Sequence, residues 1–121
     1  MTEPLIIQVE AAPVFNRIRT LAKKYRNIRR HIQPIIEQLE LGELPGDLIS
    51  GVGYEVFKLR VKNSDVQKGK SGGYRLLYYV KTATRIILLT IYTKSEQVVI
   101  AREDIRNIIT DYEQRLDEPT T

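Results

Sequence analysis

Apolar and polar residues alternate with the period of a strand in the second half of the chain. Phe57, Leu59 and Val61 interleave with Lys58, Arg60 and Lys62, while Tyr74–Lys81 and Arg85–Lys94 are apolar runs on either side of a short Thr82–Thr84 turn. Period two with β-branched and aromatic content predicts strands, and the short turn makes the three an antiparallel meander. Leu5–Val9 is a further short apolar run, too brief for a helix before Pro13, and predicts a first strand. A sheet of about four antiparallel strands is expected.

Three other segments repeat with the helical period. Val14, Ile18, Leu21 and Tyr25 follow Pro13, which suits a first helical turn, and Arg17, Lys23, Lys24 and Arg26 fall between them. Ile28, Ile32, Ile35, Ile36 and Leu39 continue the pattern, with Pro34 placed to kink that helix or to sit near its start. Leu44, Pro45 and Gly46 close the helical region. Near the end, Ile105, Ile108, Ile109 and Tyr112 form a stripe behind Glu103 and Asp104, whose carboxylates suit the positive end of a helix. The expected fold class is therefore α+β: one domain, with two N-terminal helices and one C-terminal helix covering the sheet. Glu118–Thr121 is expected to fray.

Charge changes this picture by concentrating it. From Tyr54 to Lys94 nine Lys/Arg stand against two acids, Glu55 and Asp65, in a chain of net charge +4, so the rest is net acidic. A basic sheet interleaved with tyrosines fits a site that holds a polyanion. It fits equally a strand edge guarded by lysines against aggregation. The run Arg17–Arg30, with seven basic residues and no acid, reads as the solvated face of a helix. From Glu96 onward seven acids face three bases, a polarity unsuited to nucleic acid.

With 121 residues and 42% apolar content the chain suits a single core. The absence of cysteine removes disulfides, a thiol nucleophile and a Cys-based zinc site, and one histidine, His31, makes no His-rich metal site. No cofactor is expected. The N-terminal segment has no basic region ahead of its apolar run, and no apolar stretch approaches the ~20 residues of a membrane span, so a cytoplasmic location and no membrane partner are expected.

The fragment KGKS invites comparison with a phosphate-binding loop, but Ser64 stands where that motif needs glycine, and a strand follows where it needs a helix. His31, mid-helix with no carboxylate nearby in sequence, reads as a packing or surface residue. What remains is Lys, Arg and Tyr on neighbouring strands. Such a set can promote cleavage of RNA by its own 2′-hydroxyl, which needs a base, cations for the phosphorane and an acid for the departing 5′ oxygen. Arginine offers planar bidentate charge to phosphate oxygens. A clustered lysine can act as base or acid, and a tyrosine can carry a proton or stack on a splayed base. RNA-binding sheets that do not cut carry the same residue types.

FKLRV, KGKSGGYRLLYYV and LLTIYTKS, in this order after two helices, resemble the HigB-like branch of the RelE toxin family of bacterial toxin–antitoxin pairs. The resemblance runs from Phe15 to Tyr112. It implies a compact α+β fold that enters the ribosomal A site, against 16S rRNA, and cleaves mRNA; since the basic sheet lacks a carboxylate or imidazole cluster to hold a metal, none is expected in the chemical step. Lys58 and Arg60 match the family's basic KLR strand and Arg75 its GYR strand. The founding RelE toxin carries an arginine and a tyrosine beyond its last strand, where this chain has Ser95–Ala101, so Tyr92 and Lys94 are the expected substitutes. Lys62, Lys68, Lys70, Ser71 and Tyr79 are expected to bind RNA, with Lys68, Lys70 and Ser71 in a glycine-rich loop.

The same resemblance leaves two other readings open. One is a ParE-like relative that inhibits a topoisomerase by binding it, and the other is an inactive relative that only binds RNA or its antitoxin. Implied partners are a cognate antitoxin, the ribosome with its mRNA, and operator DNA reached only through the antitoxin.

Overall fold

A computed structural model of the chain describes residues 7–13, 15, 18, 22–23, 26–61, 73–93 and 100–117, with side chains described as far as residue 114. Five strands form one sheet: β1 (Gln8–Ala11), β2 (Asp47–Leu48), β3 (Val56–Val61), β4 (Tyr74–Thr82) and β5 (Arg85–Thr93). Their spatial order is β1-β5-β4-β3-β2. The predicted meander is present as β3–β4–β5, antiparallel throughout.

Two features correct the expected sheet. The first strand is described at Gln8–Ala11, running past the end of the expected Leu5–Val9, whose first two residues lie outside the described residues, and it pairs parallel to β5, so the sheet is mixed rather than antiparallel. β2, only two residues long, adds a fifth strand antiparallel to β3.

Helix α1 (Ile28–Glu40) buries Ile28, Ile32, Ile35 and Leu39, the stripe that periodicity marks. Pro34 lies inside the helix on its exposed side, where it denies the Arg30 carbonyl its usual amide donor without burying that loss. The helix ends at Gly42, with φ +93°, whose amide bonds to the Leu39 carbonyl while the Glu43 amide bonds to that of Gln38. This paired closure needs the left-handed conformation that glycine supplies. Upstream, Ile18, Ala22 and Lys23 have helical backbone, Pro13 and the buried Phe15 have 3₁₀ backbone and Arg26 lies in a turn, while the other residues of the first predicted helix lie outside the described residues.

Helix α2 (Arg102–Asp117) covers the opposite face, with Ile105, Ile109 and Tyr112 buried against Val56, Leu77, Tyr79, Ile87 and Leu89. On the α1 side the core is Val61, Tyr74, Leu76, Tyr78, Ile86, Leu88 and Ile91 under the helix stripe. The sheet is thus clad by helix on both faces, which is why β4 and β5 are apolar almost without interruption.

Polar ties fix α2 to the far edge of the sheet. Tyr112 donates from its hydroxyl to Glu10 Oε2 at 2.7 Å, and Arg85 Nη2 reaches the same oxygen at 2.7 Å. Lys81 Nζ bonds to Glu113 at 2.9 Å and stands 5.7 Å from the centre of the Tyr112 ring. The hydrogen bonds from Tyr112 and Arg85 hold the Glu10 carboxyl below the usual range. Burial, and then the bond to Glu10, push the Tyr112 phenol up to about 12. At its start α2 is held by Arg102 Nε on the Ser50 carbonyl (2.9 Å) and Arg106 Nη1 on that of Gly51 (3.1 Å). Among the described residues no helix is long and apolar enough to cross a membrane.

Candidate functional site

The α2 face of the sheet carries the basic residues that the sequence marks. Arg60, Arg75 and Tyr92 are register partners across β3, β4 and β5, so they form one cross-strand row. The next row is Asp47, Lys58, Leu77 and Thr90. Partners in a row point to the same face about 5 Å apart along the sheet. These rows lie beyond the start of α2, and there Arg60 is exposed while Lys58 and Arg75 are half-buried.

Tyr92 joins this face through a bulge in β5. Ile86 and Leu88 pack towards α1, and simple alternation would send Tyr92 the same way. Between the pairs Tyr78↔Leu88 and Leu77↔Thr90, however, β5 contains Leu89 as an extra residue. The bulge reverses the phase, so Tyr92 falls in line with Ile87 and Leu89 and beside Arg75.

Asp47 is placed by the turn before it. Gly46 has φ +99°, and a Cβ there would stand 2.5 Å from the Lys58 carbonyl oxygen. Only glycine lets the chain pass so close. The Tyr78 hydroxyl donates to the Pro45 carbonyl and anchors the same turn. As a result Asp47 lies opposite Lys58, and Asp47, Lys58, Arg60 and Arg75 line one cavity of about 370 Å³. Like charges placed directly opposite each other across a strand pair are destabilising. Arg60 and Arg75 are such a pair, held where a bound anion would relieve the repulsion.

A second cavity of about 360 Å³ shares Lys58 with the first and is otherwise lined by Ile49, Tyr92, Ile100, Ala101 and Arg102. Tyr92 is only 1% exposed, and its hydroxyl is buried with no hydrogen-bond partner among the described residues. Burial raises the phenol above its ordinary range, and the charge on Arg75 opposes that rise.

The expected site residues divide three ways. Lys58, Arg60 and Arg75 come together as expected, and Tyr92 stands beside them with its ring enclosed, which removes it as a stacking surface for a splayed base. Tyr79 is a correction: it is 8% exposed, packed under α2 and edge-on to Tyr54 at 5.5 Å between ring centres, so it presents no face to RNA. Burial is the main cause that raises its phenol, with Glu113 adding to it. Lys62, Lys68, Lys70, Ser71 and Lys94 lie outside the described residues.

Sequence reasoning missed Asp47, Ile49, Ile100 and Arg102. A two-residue strand has no period to read, and the Pro45-Gly46 pair that delivers Asp47 signals only a turn. His31 sits half-buried on α1 and does not line the cavity of Asp47, Lys58, Arg60 and Arg75. Among the described residues no three His, Cys, Asp or Glu side chains gather as a metal site would require.

No family model matches the chain, and no curated protein matches it. Among solved structures it is similar to a mutant of the E. coli toxin RelE in the free state, at 14% identity over 93% of this chain and 98% of that one, with a TM-score of 0.49. A likeness this distant does not bear on which residues act.

Proposed function

We propose that the protein is an endoribonuclease toxin of the RelE kind that cuts mRNA on the ribosome by 2′-hydroxyl attack, without a metal in the chemical step. The observation that carries this reading is the Arg60–Arg75 register pair, which with Lys58 and Asp47 lines one cavity. The resemblance of KGKSGGYRLLYYV and its flanking strands to the HigB-like branch supports the same reading.

The chemistry follows from the charges. The 2′-oxygen attacks phosphorus and the bond to the 5′-oxygen breaks, leaving a 2′,3′-cyclic phosphate and a 5′-hydroxyl. Arg60 and Arg75 neutralise the charge that builds on the non-bridging oxygens, as fixed guanidinium forks suit. Among the described residues Asp47 is the one carboxylate lining the cavity, so it takes the 2′-hydroxyl proton, and Lys58 beside it gives a proton to the 5′-oxygen. A single carboxylate among three cations, as the described residues place them, repels a divalent ion more than it holds one. The proposed partners are the ribosomal A site with its mRNA and an antitoxin that masks the basic sheet.

Induced expression followed by mapping of mRNA 5′ ends tests the reading. Discrete cuts within translated codons are the expected result. Intact mRNA accompanied by gyrase-dependent DNA breaks would replace this reading with topoisomerase inhibition, and unaffected growth would replace it with an inactive binder.

A further inference from the structure

We infer that the cavity between Ile49, Tyr92 and Ile100 receives the nucleobase of the nucleotide whose phosphate lies on Lys58, Arg60 and Arg75, and that the Tyr92 hydroxyl is the group that reads the base edge. The inference rests on the reading of the basic cavity as a phosphate site and adds a second site to it.

Three observations carry it. The cavity, at about 360 Å³, is within the range of roughly 300–1,000 Å³ that small-molecule sites occupy, and its walls are largely the apolar side chains of Ile49, Ile100 and Ala101. A flat ring with a polar rim suits such walls better than a charged group does. Next, the Tyr92 hydroxyl is buried with no hydrogen-bond partner among the described residues, in a side chain that is 1% exposed. A buried hydroxyl left unmatched is costly, and this one belongs to a residue that lines the cavity, so a ligand that displaces the Ile49 and Ile100 side chains packed around it supplies the missing bond. Finally, Lys58 lines both cavities, so the apolar one adjoins the cationic one directly. A nucleotide has this bipartite form, an anion joined to a flat, edge-polar ring.

The placement also takes from Tyr92 the stacking role that sequence reasoning gave it. The enclosed ring of Tyr92 offers no stacking face, so the apolar contact falls to Ile49 and Ile100. The hydroxyl, both donor and acceptor, supplies selection among bases, because a base that cannot match it leaves it unpaired. Arg102 is fixed at the cavity by its bond to the Ser50 carbonyl and keeps the start of α2 in place as the far wall.

Titration of the isotope-labelled full chain with each of the four ribonucleoside 3′-monophosphates, and with ribose 5-phosphate, tests the inference through the methyl signals of Ile49 and Ile100. The nucleotides are expected to bind on the order of tenfold more tightly than ribose 5-phosphate and to shift both methyls. Ile49→Trp, which fills the cavity, is expected to remove that advantage while leaving affinity for ribose 5-phosphate unchanged. Tyr92→Phe, nearly isosteric, is expected to level the affinities of the four bases. Equal binding of nucleotides and ribose 5-phosphate, with both methyls unmoved, would overturn the base pocket and leave the phosphate site standing. So would nucleotide binding that Ile49→Trp does not weaken, or base preferences that survive Tyr92→Phe. Failure of every phosphate compound to bind would overturn both, and methyl shifts produced only by an apolar peptide would assign the cavity to a protein partner.

Discussion

Arg75 and Tyr92 stand opposite each other across β4 and β5 because one extra residue, Leu89, is accommodated in β5 between them and the rest of the meander. The bulge turns a residue that alternation assigns to the α1 core into a neighbour of the basic row. On the other side of Arg75 stands Arg60, a like charge at the same register. Two like charges at one register cost the sheet stability, a cost that a bound anion would relieve.

Arg75→Ala is therefore expected to reduce mRNA cleavage by ~10² or more, since it removes a fixed charge that the phosphorane needs. Thermal unfolding should show a melting temperature equal to or above that of the unmodified protein, because the Arg60–Arg75 repulsion is gone. A variant that melts well below the parent would show that Arg75 serves the fold instead.

Asp47→Asn separates chemistry from binding by the signs of its effects. Loss of the proton acceptor is expected to lower the cleavage rate by ~10² or more, whereas RNA affinity should rise because a negative charge leaves a cationic cavity. Single-turnover cleavage and a binding titration on the same RNA report the two quantities. Parallel losses of both would make Asp47 a structural residue of the turn.

Gly46→Ala probes how Asp47 is delivered. The added Cβ meets the Lys58 carbonyl and the φ of +99° is strained for alanine, so a loss of about 1–3 kcal/mol is expected from denaturant unfolding. Cleavage should fall with it even where the protein remains folded, as Asp47 and Lys58 separate. Full activity in a folded variant would remove the need for this close approach.

The tie between β1, β5 and α2 gives a pH dependence of known sign. The folded pKa of Glu10 lies below its unfolded value, owing first to the Tyr112 hydrogen bond and then to that from Arg85. Its contribution is thus fully present above the unfolded carboxyl range and is lost as pH falls through the folded value. Wild type is expected to melt above Glu10→Gln by a constant margin at pH 6–8, roughly neutral conditions, and by a shrinking margin below ~pH 5. A margin that widens on acidification would contradict the assignment.

Much of the architecture was legible because long patterns report burial. The α1 stripe of Ile28, Ile32, Ile35 and Leu39, the α2 stripe of Ile105, Ile109 and Tyr112, and the three meander strands all stand where periodicity puts them. The parallel pairing of β1 was not legible, since a four-residue strand does not state its partner. Nor was β2, whose two residues carry no period and which depends on a backbone approach at Gly46.

Within the site, Lys58, Arg60 and Arg75 were legible as alternating cations, because neighbouring strands in simple register keep their parity. Tyr92 was named for the right neighbourhood with the wrong surface, since the bulge and the wall formed by Ile49 and Ile100 enclose its ring. Tyr79 was misread because parity with Arg75 says nothing about where α2 begins. It shares the face of Arg75 and lies under the helix, whereas Arg75 lies beyond it.

The most direct test of the account is the chemistry of the cut ends. Purified protein is incubated with ribosomes programmed by a defined mRNA, with cobalt hexammine in place of magnesium so that no metal-bound hydroxide can form, and the termini of the products are determined. The account predicts cutting under these conditions, with a 2′,3′-cyclic phosphate on one fragment and a 5′-hydroxyl on the other. Intact mRNA on intact ribosomes, or products ending in a 3′-hydroxyl and a 5′-phosphate, would contradict it.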